Sequence, residues 1–126
     1  SYLALFRQAL YYFEEKSSKQ VDDILRIKAN LTTPYPNWQE NNYHPPHHDM
    51  PNDHSVSLLY YPTDSDGPTY FFDKKWSDEN KDLKIIDKVT PRANRAVLFP
   101  SGQYHTSSCP IKSSKRIVVN YILDVS

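Results

Sequence analysis

The sequence predicts an α+β fold, mainly β: a two-sheet jelly roll, or double-stranded β-helix, with amino-terminal helices packed on one sheet. Three observations predict it. From residue 43 onward, short β-type runs alternate with turn clusters, the spacing of an antiparallel sandwich or barrel. Several runs are apolar on both faces, such as Leu58-Leu59-Tyr60-Tyr61 and Ile117-Val118-Val119. Strands read that way when one face lines a sandwich interior and the other is covered. Residues 1–30 carry helix-type spacing and are available as that cover.

Taken in order, Leu3, Phe6, Leu10 and Phe13 recur at spacings of 3, 4 and 3, one face of a helix. Glu14 to Ser18 breaks the pattern. Val21, Ile24, Leu25 and Lys28 resume it, so two helices are expected within residues 1–30. Residues 31–46, rich in proline and asparagine, form an irregular connection. Strands are then expected at Ser55–Tyr61, Thr69–Asp73, Leu83–Val89, Arg95–Phe99, Tyr104–Ser108 and Arg116–Val125. Both glycines fall in expected turns, Asp64-Ser65-Asp66-Gly67 and Pro100-Ser101-Gly102. There is no internal repeat and no low-complexity tail.

A chain of 126 residues suits one domain. We read residues 1–126 as that domain, with 1–30 as helical support and 43–125 as the jelly-roll core. The 15 basic and 15 acidic residues balance, which gives no support for non-specific nucleic-acid binding. No apolar stretch is long enough to span a bilayer. The single cysteine, Cys109, excludes an internal disulfide framework and fits a reducing compartment, so a cytoplasmic location is expected. The chain opens on Ser1 with no secretory signal in view, which leaves truncation at the amino terminus open.

The residues that suggest chemistry are His47 and Asp49, in the run His44-Pro45-Pro46-His47-His48-Asp49, and the distant His105. Residues i and i+2 of an extended segment point to one side. His47 and Asp49 can therefore reach one ion while His48 points away. Two histidines and a carboxylate hold non-haem iron(II) on one face and leave the other face open. Zinc competes, because the same donors build catalytic zinc sites. His-x-Asp alone is a chance-level tripeptide and reads equally as a polar loop. His44 and His54 read as surface loop residues.

Arg116 strengthens the set. It starts a β run, so Arg116, Val118, Asn120 and Ile122 share a face. If that face is interior, the guanidinium needs an anionic partner, and a ligand carboxylate held bidentately would serve. The plain alternative is a strand-end arginine in solvent beside Lys115. Tyr61, on one face with Ser57 and Leu59, is a second contact to the same carboxylate or else a packing residue. Cys109 reads as a small buried packing residue.

His47-His48-Asp49, Ser57-Leu58-Leu59-Tyr60-Tyr61, Asp64-Ser65-Asp66-Gly67-Pro68-Thr69, Asn94-Arg95-Ala96-Val97-Leu98-Phe99-Pro100, His105 and Arg116-Ile117-Val118-Val119-Asn120-Tyr121 together resemble the iron(II)/2-oxoglutarate-dependent dioxygenases. The likeness is to their prolyl-hydroxylase-like branch, including its phage and marine microbial members, over residues 43–124. The resemblance implies His47, Asp49 and His105 as iron ligands. It implies Arg116 as partner of the distal carboxylate of 2-oxoglutarate, with Tyr61 assisting. Asn120, Ser57, Leu59 and Ser107 fall at pocket-lining positions, and Tyr43 resembles a tyrosine found near the co-substrate. Family halogenases replace the carboxylate with a small residue, so Asp49 implies a hydroxylase. The amino-terminal part is short for this family.

The expected function is therefore hydroxylation of an unactivated C–H bond, on a prolyl or other protein side chain or on a small molecule. Iron(II), 2-oxoglutarate and dioxygen are the expected cofactors, ascorbate a supporting reductant, and succinate and carbon dioxide the co-products. Two alternatives stay open. One is a cupin-like metal enzyme that does not use 2-oxoglutarate. The other is a non-catalytic jelly-roll binding module, with Trp38 and Trp76 as stacking surfaces.

Overall fold

A computed structural model of the chain describes residues 14–126. It is mainly β, with two antiparallel sheets, an arrangement compatible with a β-sandwich. The strands are β1 (Val21–Thr32), β2 (Ser55–Tyr61), β3 (Thr69–Lys75), β4 (Ile85–Val89), β5 (Arg95–Pro100), β6 (Gln103–Ser107) and β7 (Arg116–Val125). One sheet has the order β1-β7-β2-β5, the other β4-β3-β6. Beside β6, the segment carrying His47 adds an antiparallel bridge, His47 to His105.

All strands expected downstream of residue 43 are present, two of them with the expected ends (Ser55–Tyr61 and Arg116–Val125). The amino-terminal expectation needs correcting. The first expected helix lies largely outside the described residues, which show only a helical turn at 14–17. The second is the 12-residue strand β1, paired along its length with β7. The reason is physical. Register shifts between Val21 and Asp23 and between Ile24 and Arg26 each break the two-residue alternation of the strand. As a result Val21, Ile24 and Ile27 all turn to one face, and the spacing of 3 imitates a helix.

Those three residues pack against Leu58, Val119, Tyr121 and Leu123, on the side of the first sheet facing away from the second. Tyr121 and Leu123 are essentially inaccessible there. Between the sheets lies a second cluster, Leu59, Tyr61, Phe71, Phe99 and Val118. Burying each such side chain stabilises the fold by roughly 1.5–3 kcal/mol. Both faces of β2 and β7 are therefore used, as their apolar runs require. Among the described residues, no helix is long and apolar enough to cross a membrane.

Candidate metal centre

His105 sits on the inner face of β6, opposite Phe71 of β3 and against the ring of Phe99. The His47 segment is tied to β6 by reciprocal backbone bonds, His47 N to His105 O at 3.0 Å and His105 N to His47 O at 2.9 Å. This pairing sets the two imidazoles side by side, with ring centroids 4.4 Å apart. Asp49 is placed by the turn between β5 and β6: its backbone N–H donates to the Ser101 carbonyl at 2.8 Å. His48, one residue out of phase, turns away and meets the Tyr104 ring edge-on.

The three side chains converge. Asp49 Oδ1 lies 3.4 Å from His105 Nε2 and 3.6 Å from His47 Nε2, and one donor atom from each residue falls within 4.8 Å of the others. An octahedral edge with bonds of about 2.1 Å spans about 3 Å, so small adjustments would close the set on an ion. His105 is buried and the Asp49 side chain is only 7% exposed, while the His47 side chain is 56% exposed, so the site opens on the His47 side. His44 and His54 stand outside it. His44 packs against Trp38 and contacts Cys109 Sγ at 3.5 Å; His54 pairs with Asp124. Cys109 is buried, as expected of a packing residue, and burial pushes its thiol up despite the nearby Arg116.

The surrounding bonds leave the right atoms free. Ser57 Oγ donates to Asp49 Oδ2 at 2.6 Å, and Asn120 Nδ2 donates to the same oxygen at 3.3 Å. Oδ1 is left facing both imidazoles. The Gln103 carbonyl, 2.9 Å from His105 Nδ1, accepts that ring proton and turns Nε2 towards Asp49 and the ion position. Burial pushes the Asp49 carboxyl up, but His105, Ser57 and Asn120 outweigh it and hold it at about 2. Burial, reinforced by the neighbouring His105, lowers His47. An ionised carboxylate and a neutral imidazole are the forms that bind metal.

A cavity of about 300 Å³ adjoins the triad. His47, His105 and Asn120 border it, as do Leu59, Thr69 and Arg116. Arg116 is 2% exposed. Its Nε donates to the Gly67 carbonyl at 2.7 Å and its Nη2 to Thr69 Oγ1 at 2.6 Å. Gly67 has no room for a side chain, since a Cβ would come within 2.9 Å of Ser108 O and Pro110 N. That close approach brings its carbonyl to the arginine. These two bonds use two of the five guanidinium N–H groups. Arg116 makes no ion pair among the described residues. Burial lowers its pKa, with Tyr61 and Cys109 opposing, and a guanidinium still keeps its proton.

No family model matches the chain. No curated protein matches it either. The residues themselves carry the functional reading.

Among the other residues singled out from sequence, Asn120, Leu59 and Ser107 line the cavity, and Ser57 supports Asp49 from behind. Tyr61 is fully buried and reaches Arg116 through an intermediary: its hydroxyl bonds Thr69 Oγ1 at 2.6 Å. Burial raises its pKa, so the phenol stays protonated. Tyr43 is not brought to the cavity. It packs on Tyr70 and Phe72, which alternate with the inward-facing Phe71 and so point to the outer side of the second sheet. Thr69, Ser101 and the Gln103 carbonyl were not legible in the sequence. The one available signal was for Thr69, which shares strand parity with Phe71 and so faces inward.

Proposed function

We propose that this protein is an iron(II)- and 2-oxoglutarate-dependent oxygenase that hydroxylates an unactivated C–H bond, built on a jelly roll. One observation carries the reading: a buried arginine, without a carboxylate partner among the described residues, borders the same cavity as a His-Asp-His triad. A buried, uncompensated cation is costly unless a ligand completes it. The triad by itself fits several metals; the arginine is what favours an anionic co-substrate.

The sheet orders support the jelly roll. With the His47 segment counted as a strand beside β6, β1-β7-β2-β5 faces a second layer ordered His47 segment-β6-β3-β4. In this reading β1 supplies an early strand that the sequence disguises as helix.

The donor set fits the metal: a carboxylate with one oxygen anchored and one presented, and two imidazoles side by side, that of His105 turned by a carbonyl. His47, Asp49 and His105 would hold iron(II) on one triangular face. Arg116, fixed by Gly67 and Thr69, would pair with the distal carboxylate of 2-oxoglutarate, and Tyr61 would hold Thr69 in place. Leu59, Phe71, Phe99 and Val118 keep water from the inner wall. When bound, iron(II) with 2-oxoglutarate and dioxygen supplies the oxidising power to break a C–H bond, with succinate and carbon dioxide as co-products.

Purified protein with iron(II), ascorbate and 2-oxoglutarate should release succinate, and His47→Ala or Asp49→Ala should abolish release. Anaerobic iron(II) with 2-oxoglutarate should give a weak visible charge-transfer band that does not require the primary substrate. Arg116→Gln should keep metal binding and weaken 2-oxoglutarate at least tenfold. A wild-type protein that binds metal but shows neither band nor succinate would sink this reading in favour of a metal enzyme that does not use 2-oxoglutarate.

A further inference from the structure

The inner face of β1 carries a row of side chains that neither the triad nor Arg116 uses. In the β1–β7 register, Thr32 lies opposite Arg116, Asn30 opposite Val118, Lys28 opposite Asn120 and Arg26 opposite Ile122. Residues directly opposite in an antiparallel pair share a face. Arg116, Val118 and Asn120 border the cavity, so this row faces the same way. Asn30 and Thr32 line the cavity wall, and Lys28 and Arg26 continue the row beyond it. Strand β1 is an edge of its sheet, and Arg26, Lys28 and Asn30 are exposed, so the row forms one lip of the opening. Neither Arg26 nor Lys28 makes an ion pair among the described residues. Past Arg26 the row turns acidic: Asp23 lies opposite Asp124, which pairs with His54 at 3.4 Å. The cationic stretch is thus two residues long, bounded by the cavity on one side and acidic groups on the other.

We propose that Lys28 and Arg26 bind a carboxylate or phosphate group of the primary substrate and lay that substrate along the cavity mouth. This rests on the oxygenase reading above. In that reading the deep charges cancel, a divalent metal and Arg116 against Asp49 and a dicarboxylate. Among the described residues, Lys28 and Arg26 are left as unpaired charge beside the opening. Alternate residues of a strand stand about 7 Å apart, so two long, flexible side chains can close on one anion from both sides. Lys28 is directly opposite Asn120, which donates to Asp49. An anion on Lys28 therefore sits one strand away from the metal ligands, and a C–H bond a few atoms from it would face the open coordination positions.

The test uses the full chain loaded with manganese(II) and saturated with 2-oxoglutarate, so that Arg116 is occupied. N-acetylglutamate, O-phosphoserine and an acidic hexapeptide are titrated separately by calorimetry. At least one should bind, more weakly at higher salt, and Lys28→Met with Arg26→Met should weaken it tenfold or more. Lys88→Met, on β4 of the other sheet, should leave it unchanged. Binding by the peptide alone assigns a protein side chain as substrate; binding by a small acid assigns a metabolite. Binding by none, or equal binding by the double variant, overturns the proposal. The iron(II) charge-transfer band, recorded on the same proteins without the anions, reports on the oxygenase reading separately. Its absence with Lys28-dependent anion binding intact would remove that reading and leave the anion site standing.

Discussion

Ser57 donates its hydroxyl to Asp49 Oδ2 at 2.6 Å, and that bond decides which carboxylate oxygen is left for a metal. Ser57 is itself held by Ser101 at 2.8 Å, inside a sheet face where neither hydroxyl meets solvent. Outer-shell partners of this kind typically control metal affinity by 10–100-fold. Ser57→Ala should therefore weaken manganese(II) or zinc binding by roughly that factor, measured by calorimetry. It should also lower stability by about 1–3 kcal/mol, because Asp49 and Ser101 lose a buried partner. Metal affinity equal to wild type would mean that Asn120 alone orients the carboxylate.

Asp49 also predicts how the metal-free protein responds to acid. Burial raises its pKa, but the bonds from His105, Ser57 and Asn120 bring it to about 2, below the ordinary 3.8 of an aspartate. A carboxyl depressed in the folded state stabilises the fold above its unfolded pKa, and that stabilisation is lost as pH falls towards the folded value. The contribution is on the order of 2 kcal/mol and should vanish between about pH 4 and pH 2. Urea denaturation of wild type and Asp49→Asn at both ends of that range isolates it, since other depressed carboxyls are common to both proteins. The wild type should lose more stability than the variant. An equal loss would show that Asp49 is not held in its charged form.

Asp66 reaches Arg116 indirectly. Its carboxylate accepts the backbone N–H groups of Ile111 at 3.1 Å, Lys112 at 2.7 Å and Ser113 at 3.2 Å, pinning the loop that leads into β7. Its neighbour Gly67 holds Arg116 Nε. One dipeptide thus ties down both the loop and the guanidinium. If the proposed oxygenase function holds, Asp66→Ala should leave metal affinity unchanged while weakening 2-oxoglutarate severalfold, read from the charge-transfer band. Equal weakening of metal and co-substrate would indicate general loosening of the fold instead.

Much of the site was legible because it depends on local rules. His47 and Asp49 share a side through strand alternation, and Arg116 stands on the inner face for the same reason. What was hidden depends on pairing between distant segments. Thr69 meets Arg116 only because β3, in the second sheet, lies across from β7. Tyr43 is four residues from His47 in the chain, yet it packs on the outer face of that sheet. Ser101 supports Asp49 through a turn that crosses from one sheet to the other. In β1 the local rule itself misled, because two bulges converted strand alternation into helical spacing.

That last point can be tested at two adjacent residues. A helix over this region would bury Ile24 and Leu25 together on one face. The bulged strand separates them: Ile24 packs against the Leu58-Val119-Tyr121-Leu123 cluster, while Leu25 is 41% exposed. Leu25→Thr should then change stability by less than about 0.5 kcal/mol, the range for surface positions. Ile24→Ala should cost about 2 kcal/mol or more, towards the lower end of core truncations because Ile24 is only partly buried. Chemical denaturation of the two variants gives the comparison. Similar losses at both positions would return this segment to a helix and remove the register that places Lys28 beside the site.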